Sequence, residues 1–150
     1  MRGCLETSTI RVLVVDDYEP WRLLVRSILE KGSELRVIGE ASDGLEAIQK
    51  AEELQPDLIL LDIGLPKLNG IAAARSIRLL APFSRIIFVS QTRSPDIVRE
   101  ALGTGGRAYV AKANGATELL PAITAVLQEK QFVSANLMAT PAGFAGGSQP

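Results

Sequence analysis

The sequence predicts an α/β fold in which a parallel sheet carries helices on both faces. Four apolar runs, Val12 to Val15, Leu58 to Leu61, Ile86 to Val89 and Tyr109 to Ala111, have the composition of strands buried on both sides. Strand and helix signals alternate five times, as in βα units joined by right-handed crossovers. The runs stop at polar residues of different kinds: Asp16 and Asp17, Asp62, Ser90, and Lys112. Ligands of open α/β sheets bind beyond the carboxyl ends of the strands, at the switch in strand order, so these ends are expected to share one pocket. Three carboxylates, a hydroxyl and an ammonium suit one divalent cation and one phosphoryl group.

The first strand, Ile10 to Val15, runs into the Asp pair. The helix after it has Pro20 near its first turn, an apolar stripe of Trp21, Leu24, Val25 and Ile28, and Gly32 as its stop. The second strand, Leu35 to Glu40, alternates Leu35, Val37 and Gly39 against Arg36, Ile38 and Glu40, the pattern of a half-exposed edge strand. Asp43 and Glu46 have capping-box spacing before a second helix that turns Ile48, Ala51 and Leu54 inward. Pro56 ends that helix and launches the third strand, Leu58 to Leu61, which has no polar residue before Asp62 and is expected to be central. Leu65, Pro66 and Asn69-Gly70 form a loop into a third helix with Ile71, Ala74 and Ile77 at helical spacing, closed by Pro82. The fourth strand is Arg85 to Val89, and Ser94-Pro95-Asp96 reads as an N-cap with proline at the first position of a short fourth helix ending near Gly103. The fifth strand covers about Arg107 to Val110. The fifth helix carries Leu119, Leu120, Ile123 and Val126, and Pro121 fits only a first turn, which places the start near Thr117.

A chain of 150 residues with 47% hydrophobic content supports one domain with a tail. Residues 1–9 read as an N-terminal extension, 10–132 as the domain and 133–150 as a C-terminal tail. Thr140 to Pro150, rich in Pro, Ala, Gly, Ser and Gln, is expected to be mobile, while Phe132, Val133 and Leu137 have the character to pack back. A net charge of -1 without a Lys/Arg cluster argues against direct nucleic-acid binding. One cysteine, Cys4, excludes an intramolecular disulfide and a cysteine metal cage, and the absence of histidine excludes His-activated nucleophiles and imidazole zinc sites. No apolar stretch approaches the roughly 18 residues that span a bilayer, and no signal-peptide core is present, so a cytoplasmic protein without membrane contact is expected.

Asp16 and Asp17 sit where strand alternation breaks down, so both can face one pocket, although an Asp pair is equally at home capping a helix in solvent. Magnesium needs only one or two carboxylates beside its waters and a phosphate oxygen. Asp62 ends the most hydrophobic strand, where a lone carboxylate is costly without a cation or donor. Already ionised at neutral pH, it can act as a phosphoryl-accepting nucleophile if positive charge offsets its repulsion from the donor. Lys112 supplies such charge and Ser90 a hydroxyl donor. Singly these two are ordinary surface residue types; their order and strand-end placement make the set specific.

The stretches VLVVDD at 12–17, PDLILLDIGLPKLNG at 56–70, IIFVS at 86–90 and GRAYVAK at 106–112 resemble the receiver domain of bacterial two-component response regulators. The resemblance runs from about Ile10 to Phe132 and is nearest to receivers that precede helix-turn-helix output domains. It implies a single doubly wound (βα)5 domain, flavodoxin-like and CheY-like, with a five-stranded parallel sheet of order 2-1-3-4-5. It further implies Asp62 as phosphoacceptor, with Ser90 and Lys112 completing the catalytic set. Asp16, Asp17, Asp62 and the Gly64 carbonyl are then the ligands of Mg²⁺, or Mn²⁺ in its place, and Ser90 and Tyr109 form the switch.

A sensor histidine kinase is the implied phosphoryl donor, and a downstream protein is expected to read the face made by the fourth helix, fifth strand and fifth helix, with homodimerisation on phosphorylation compatible with this scheme. The domain is then a phosphoacceptor and not a turnover enzyme. Drawing Ser90 inward should open room for Tyr109 to rotate inward. Three positions depart from the family pattern: Ala113 where a proline in a cis peptide often follows the lysine, Gln91 where a small residue is usual, and Ser90 where threonine is commoner. The Lys112-Ala113 bond is therefore either strained or trans. An aspartate-nucleophile phosphohydrolase is disfavoured because Val15-Asp16-Asp17 supplies no D-x-D pattern, and an unphosphorylated scaffold because every acidic and basic position is filled.

Overall fold

The computed structural model describes residues 9–32, 34–134 and 137. Six strands lie in one parallel sheet: β1 Ile10–Val15, β2 Leu35–Ala41, β3 Leu58–Leu61, β4 Arg85–Ser90, β5 Ala108–Ala111 and β6 Phe132–Val133, in the order 2-1-3-4-5-6. Five helices connect or flank them: α1 Glu19–Leu29, α2 Gly44–Leu54, α3 Gly70–Leu80, α4 Pro95–Gly103 and α5 Gly115–Leu127. The expected order of the first five strands is observed, and the expected five-stranded sheet is corrected to six. A two-residue strand between short polar segments has no periodicity to announce it; β6 exists because Phe132 and Val133 pair with Ala108 and Tyr109 along an otherwise open edge.

Strand alternation divides the core into two layers. Val12, Val14, Leu58, Leu60, Ile87, Val89 and Val110 pack against Val25 and Ile28 of α1 and Leu119, Ile123 and Val126 of α5. Leu13, Val15, Ile59, Leu61, Phe88 and Tyr109 face Ala47 and Ala51 of α2, Ala74 and Ile77 of α3, and Val98 and Ala101 of α4. Each buried large aliphatic side chain contributes about 1.5–3 kcal/mol, so β1, β3, β4 and β5 are held firmly and their carboxyl ends are fixed reference points. β2 lies at the edge and is partly exposed, as its alternation predicts.

Side-chain caps hold two helix starts where the sequence places them. The Glu46 N–H donates to Asp43 Oδ1 at 2.8 Å, the Glu46 carboxylate accepts from the Ser42 N–H, and Asn69 accepts from the Ala72 N–H at 2.9 Å. Ser94 occupies the N-cap of α4 but its side chain makes no capping bond. Two expectations are overturned. Leu24 is exposed and Leu29 buried, because the inward stripe of α1 is Trp21, Val25, Ile28 and Leu29. Pro121 lies inside α5: Lys112–Asn114 forms a 3-10 turn and α5 begins at Gly115, ahead of Thr117. Thr117 and Pro121 are both on the exposed face, so the carbonyl that loses its helical donor is open to solvent.

Candidate functional site

Register brings the acidic residues together. Val15 pairs with Leu61, so Asp16 and Asp62 follow directly on adjacent central strands. Their backbones are pinned: the Asp16 N–H donates to the Ala41 carbonyl at 3.0 Å and the Asp62 N–H to the Val15 carbonyl at 3.1 Å. Gly70, the first residue of α3, presses on the Asp62 main chain, where a Cβ would lie 2.0 Å from the Asp62 carbonyl oxygen. Ser90 pairs with Ala111 at the ends of β4 and β5, and Lys112 follows.

Asp16 and Asp62 are buried, at 1% and 6% exposure, whereas Asp17 is exposed. One oxygen from each of the three lies within 4.8 Å of the others. Lys112 Nζ stands 2.6 Å from Asp16 Oδ2 and 3.4 Å from Asp62 Oδ2. Asp16 Oδ1 accepts the Tyr18 N–H at 2.9 Å and Asp62 Oδ1 the Ile63 N–H at 2.8 Å. Asp16 Oδ2 is buried and, among the described residues, makes no hydrogen bond beyond its ion pair with Lys112. Burial pushes the Asp62 carboxyl above the usual carboxylate range; Lys112 pulls it back and Asp16 adds to the rise. Three carboxylates that converge within 4.8 Å, two of them sharing a single ammonium, match an oxygen-ligated divalent cation.

A cleft lined by Asp17, Tyr18, Asp62, Ile63, Gly64, Ser90, Gln91, Thr92 and Lys112 opens above these groups. All the sequence-predicted site residues but Asp16 and Tyr109 line it, and Asp16 is in contact with Lys112, which does. Ser90 is buried and its Oγ accepts the Thr92 N–H at 3.3 Å. Tyr109 is set apart: its ring is fully buried beside Phe88, and its hydroxyl donates to the Thr92 carbonyl at 2.8 Å. It is therefore already inward, a position the resemblance implies only after Ser90 is drawn in. The Lys112-Ala113 bond is trans, and Lys112 opens the 3-10 turn instead.

Two neighbours of the site escaped sequence reading. Trp21 lies under Lys112, with Nζ 5.2 Å from the ring centroid, and Gly115 leaves room for the indole: a Cβ there would meet it at 2.7 Å. Arg22 donates to the Asp16 carbonyl at 2.6 Å and to Glu40 at 2.8 Å. The spacing of Trp21 marks only a core stripe, and nothing in the spacing of Arg22 points to a backbone carbonyl.

A family model described as the response regulator receiver domain matches residues 12–124. The protein-glutamate methylesterase/protein-glutamine glutaminase of Thermotoga maritima is 43% identical over 112 residues, covering 73% of this chain and 32% of that protein. The response regulator protein VraR of Staphylococcus saprophyticus is 31% identical over 129 residues, covering 86% of this chain and 62% of that one. The crystal structure of a LuxR-family two-component response regulator from Aurantimonas sp. SI85-9A1 superposes with a TM-score of 0.82 at 32% identity, covering 87% of this chain and 93% of that chain. The chain spans about a third of the length of the methylesterase relatives.

Proposed function

Since the chain belongs to the response regulator receiver domain family of two-component systems, we propose that Asp62 accepts a phosphoryl group from a phosphohistidine on a sensor histidine kinase. The observation that carries this reading is the meeting of Asp16, Asp17 and Asp62 within 4.8 Å, with Lys112 the ion-pair partner of both Asp16 and Asp62. A carboxylate oxygen of Asp62 forms the new O–P bond as the N–P bond to the donor imidazole breaks, and the released imidazole takes up a proton from solvent. Asp16, Asp17, Asp62 and the Gly64 carbonyl would hold Mg²⁺ or Mn²⁺, which when bound neutralises charge on the phosphoryl oxygens. Lys112 pairs with the acquired phosphoryl charge of about two units, and the Ser90 hydroxyl donates to one of its oxygens.

Ser90 must release the Thr92 N–H or carry it along when it turns to the phosphoryl group. The Thr92 carbonyl holds the Tyr109 hydroxyl, so the link between phosphorylation and Tyr109 runs through this loop, and Tyr109 need not rotate in from solvent. A downstream protein, or a second copy of the chain, would read the resulting change on the α4, β5 and α5 face. Near-complete switching requires the phosphoryl group to favour the active packing by about 5.5 kcal/mol. Gln91, on the rim, is assigned to slowing access of donor or water; unchanged rates of labelling and hydrolysis in Gln91→Ala would refute that role. No helix among the described residues is long and apolar enough to cross a membrane, and a cytoplasmic setting suits a kinase-fed phosphoacceptor.

Acetyl phosphate with Mg²⁺ should label the wild-type chain and leave Asp62→Asn unlabelled. Label that persists in Asp62→Asn would overturn the assignment. Sustained release of phosphate from ordinary phosphomonoesters would instead support a phosphohydrolase, and failure to bind Mg²⁺ or beryllofluoride an unphosphorylated scaffold.

A further inference from the structure

Beyond the end of α5 the chain returns along the open edge of β5. The Phe132 N–H donates to the Arg107 carbonyl at 3.3 Å and the Ser134 N–H to the Tyr109 carbonyl at 2.9 Å. The next bond of a parallel ladder would join the Ala111 N–H to the Ser134 carbonyl. That carbonyl turns away to accept the Leu137 N–H at 3.3 Å, and the Ser134 hydroxyl takes its place, accepting the Ala111 N–H at 2.9 Å. The same hydroxyl donates to the Glu118 carboxylate on α5. Ser134 is 2% exposed, and Leu137, also 2% exposed, belongs to the core layer of Val98, Ala101 and Tyr109.

Ala111 is the last residue of β5, and the next residue is Lys112. On its other side Lys112 meets Trp21 and the carboxylates of Asp16 and Asp62. A buried N–H at this point with no acceptor would be free to tilt the strand end, and Ala113 lacks the ring that would stiffen the backbone on the far side. The bond to the Glu118 carboxylate polarises the serine hydroxyl and strengthens it as an acceptor.

We infer that Ser134 is a positioning residue for Lys112: with Glu118, it fixes the end of β5 so that the ammonium is held between Asp16 and Asp62. It touches neither phosphoryl group nor metal and acts through the Ala111 backbone. Because the same serine anchors the segment that follows α5, the state of the phosphoryl site and the docking of Phe132, Val133 and Leu137 are linked, and by reciprocity each biases the other. The catalytic consequence rests on Asp62 being the phosphoacceptor; the placement of Lys112 does not.

The test uses the full chain with Ser134→Ala, Ser134→Thr and Glu118→Gln. Trp21 is the only tryptophan, so its emission reports the nearby ammonium, with Lys112→Ala as the limit for its removal. Ser134→Ala should move the emission part of the way to that limit, and Ser134→Thr should restore it. Labelling by acetyl phosphate at saturating Mg²⁺ should slow about fivefold in Ser134→Ala, the worth of one ordinary hydrogen bond, less in Glu118→Gln, and recover in Ser134→Thr. The apparent Mg²⁺ affinity should stay within about twofold of wild type, because the cation ligands are held by β1 and β3. Wild-type emission and labelling in a Ser134→Ala chain that is merely less heat-stable would overturn the inference. A wild-type chain that takes no label overturns the phosphoacceptor reading, and the emission arm then still decides the placement of Lys112.

Discussion

At the amino ends of the strands, charged and polar groups are matched: the Arg11 N–H donates to Asp57 at 2.8 Å, the Arg11 guanidinium to the carbonyls of Leu54 and Gln55, the Ser84 hydroxyl to the Pro56 carbonyl, and Arg85 and Arg107 share Glu129. At the carboxyl ends of the same strands, three carboxylates converge, and the one ammonium beside them, Lys112, pairs with Asp16 and Asp62. Arg85 Nε is the one described buried side-chain nitrogen at the amino end that lacks a partner. Both ends cap the same apolar layers, so the imbalance is not something the core requires. An end that is neutralised within the chain stabilises the fold, whereas an end left with surplus negative charge is stabilised by what it binds.

Substitutions at the two ends should therefore separate activity from stability. The largest effect is expected for Lys112→Ala, which removes a charge-assisted partner of the phosphoryl group and should slow labelling by about 10- to 100-fold. Arg107→Ala, at the opposite end, should leave labelling within about twofold of wild type. Equal slowing in both variants, measured by mass spectrometry of the intact chain, would break the contrast. Ser84→Ala leaves the buried Pro56 carbonyl without its donor and should cost about 1–2 kcal/mol in denaturant unfolding, with labelling unchanged.

The acid response of the two ends should differ in sign. The Asp62 carboxyl is raised by burial, so its contribution to stability is full below the unfolded-state pKa and is lost as pH rises through the folded one. Without metal at neutral pH, Asp62→Asn should melt a few degrees above wild type, and the gap should close as pH falls through the raised value. The Glu129 carboxyl is held low by Arg107 and then Arg85, so its contribution is present above the unfolded-state pKa and is lost as pH falls through the folded one. Glu129→Gln should melt slightly below wild type at neutral pH, the smallest effect of the set, and this gap too should close in acid. Melting curves by circular dichroism from pH 7.5 down to about pH 2.5 would show whether the two gaps close from opposite sides, as surplus and balance require.

The carboxyl end was more legible in the sequence than the amino end, for a physical reason. A strand buried on both faces tolerates no polar residue, so Asp16, Asp62, Ser90 and Lys112 stand out where Val15, Leu61, Val89 and Ala111 stop. Side-chain caps such as Asp43 and Asn69 are local and equally readable. Contacts between segments far apart in the chain were not. Nothing near Phe132 shows that it completes a sheet edge, or near Ser134 that its hydroxyl replaces a backbone acceptor for Ala111. The misplaced start of α5 has the same origin: proline excludes a helix interior by local rules, but an exposed Pro121 on a helix packed through Leu119, Ala122, Ile123 and Val126 is held by its other face. Whether Tyr109 points in or out depends on Thr92, in another loop, and no pattern along β5 encodes it.

The central claim is that the carboxyl end of the sheet is a phosphoryl-accepting site centred on Asp62. Borohydride reduction of the chain after treatment with acetyl phosphate and Mg²⁺, followed by peptide mapping, tests it most directly, because an aspartyl phosphate is converted to homoserine at the residue that carried it. Homoserine at position 62, dependent on Mg²⁺, is the predicted result. Homoserine at position 16 or 17, or a phosphoryl group on a serine that borohydride leaves intact, would contradict the account.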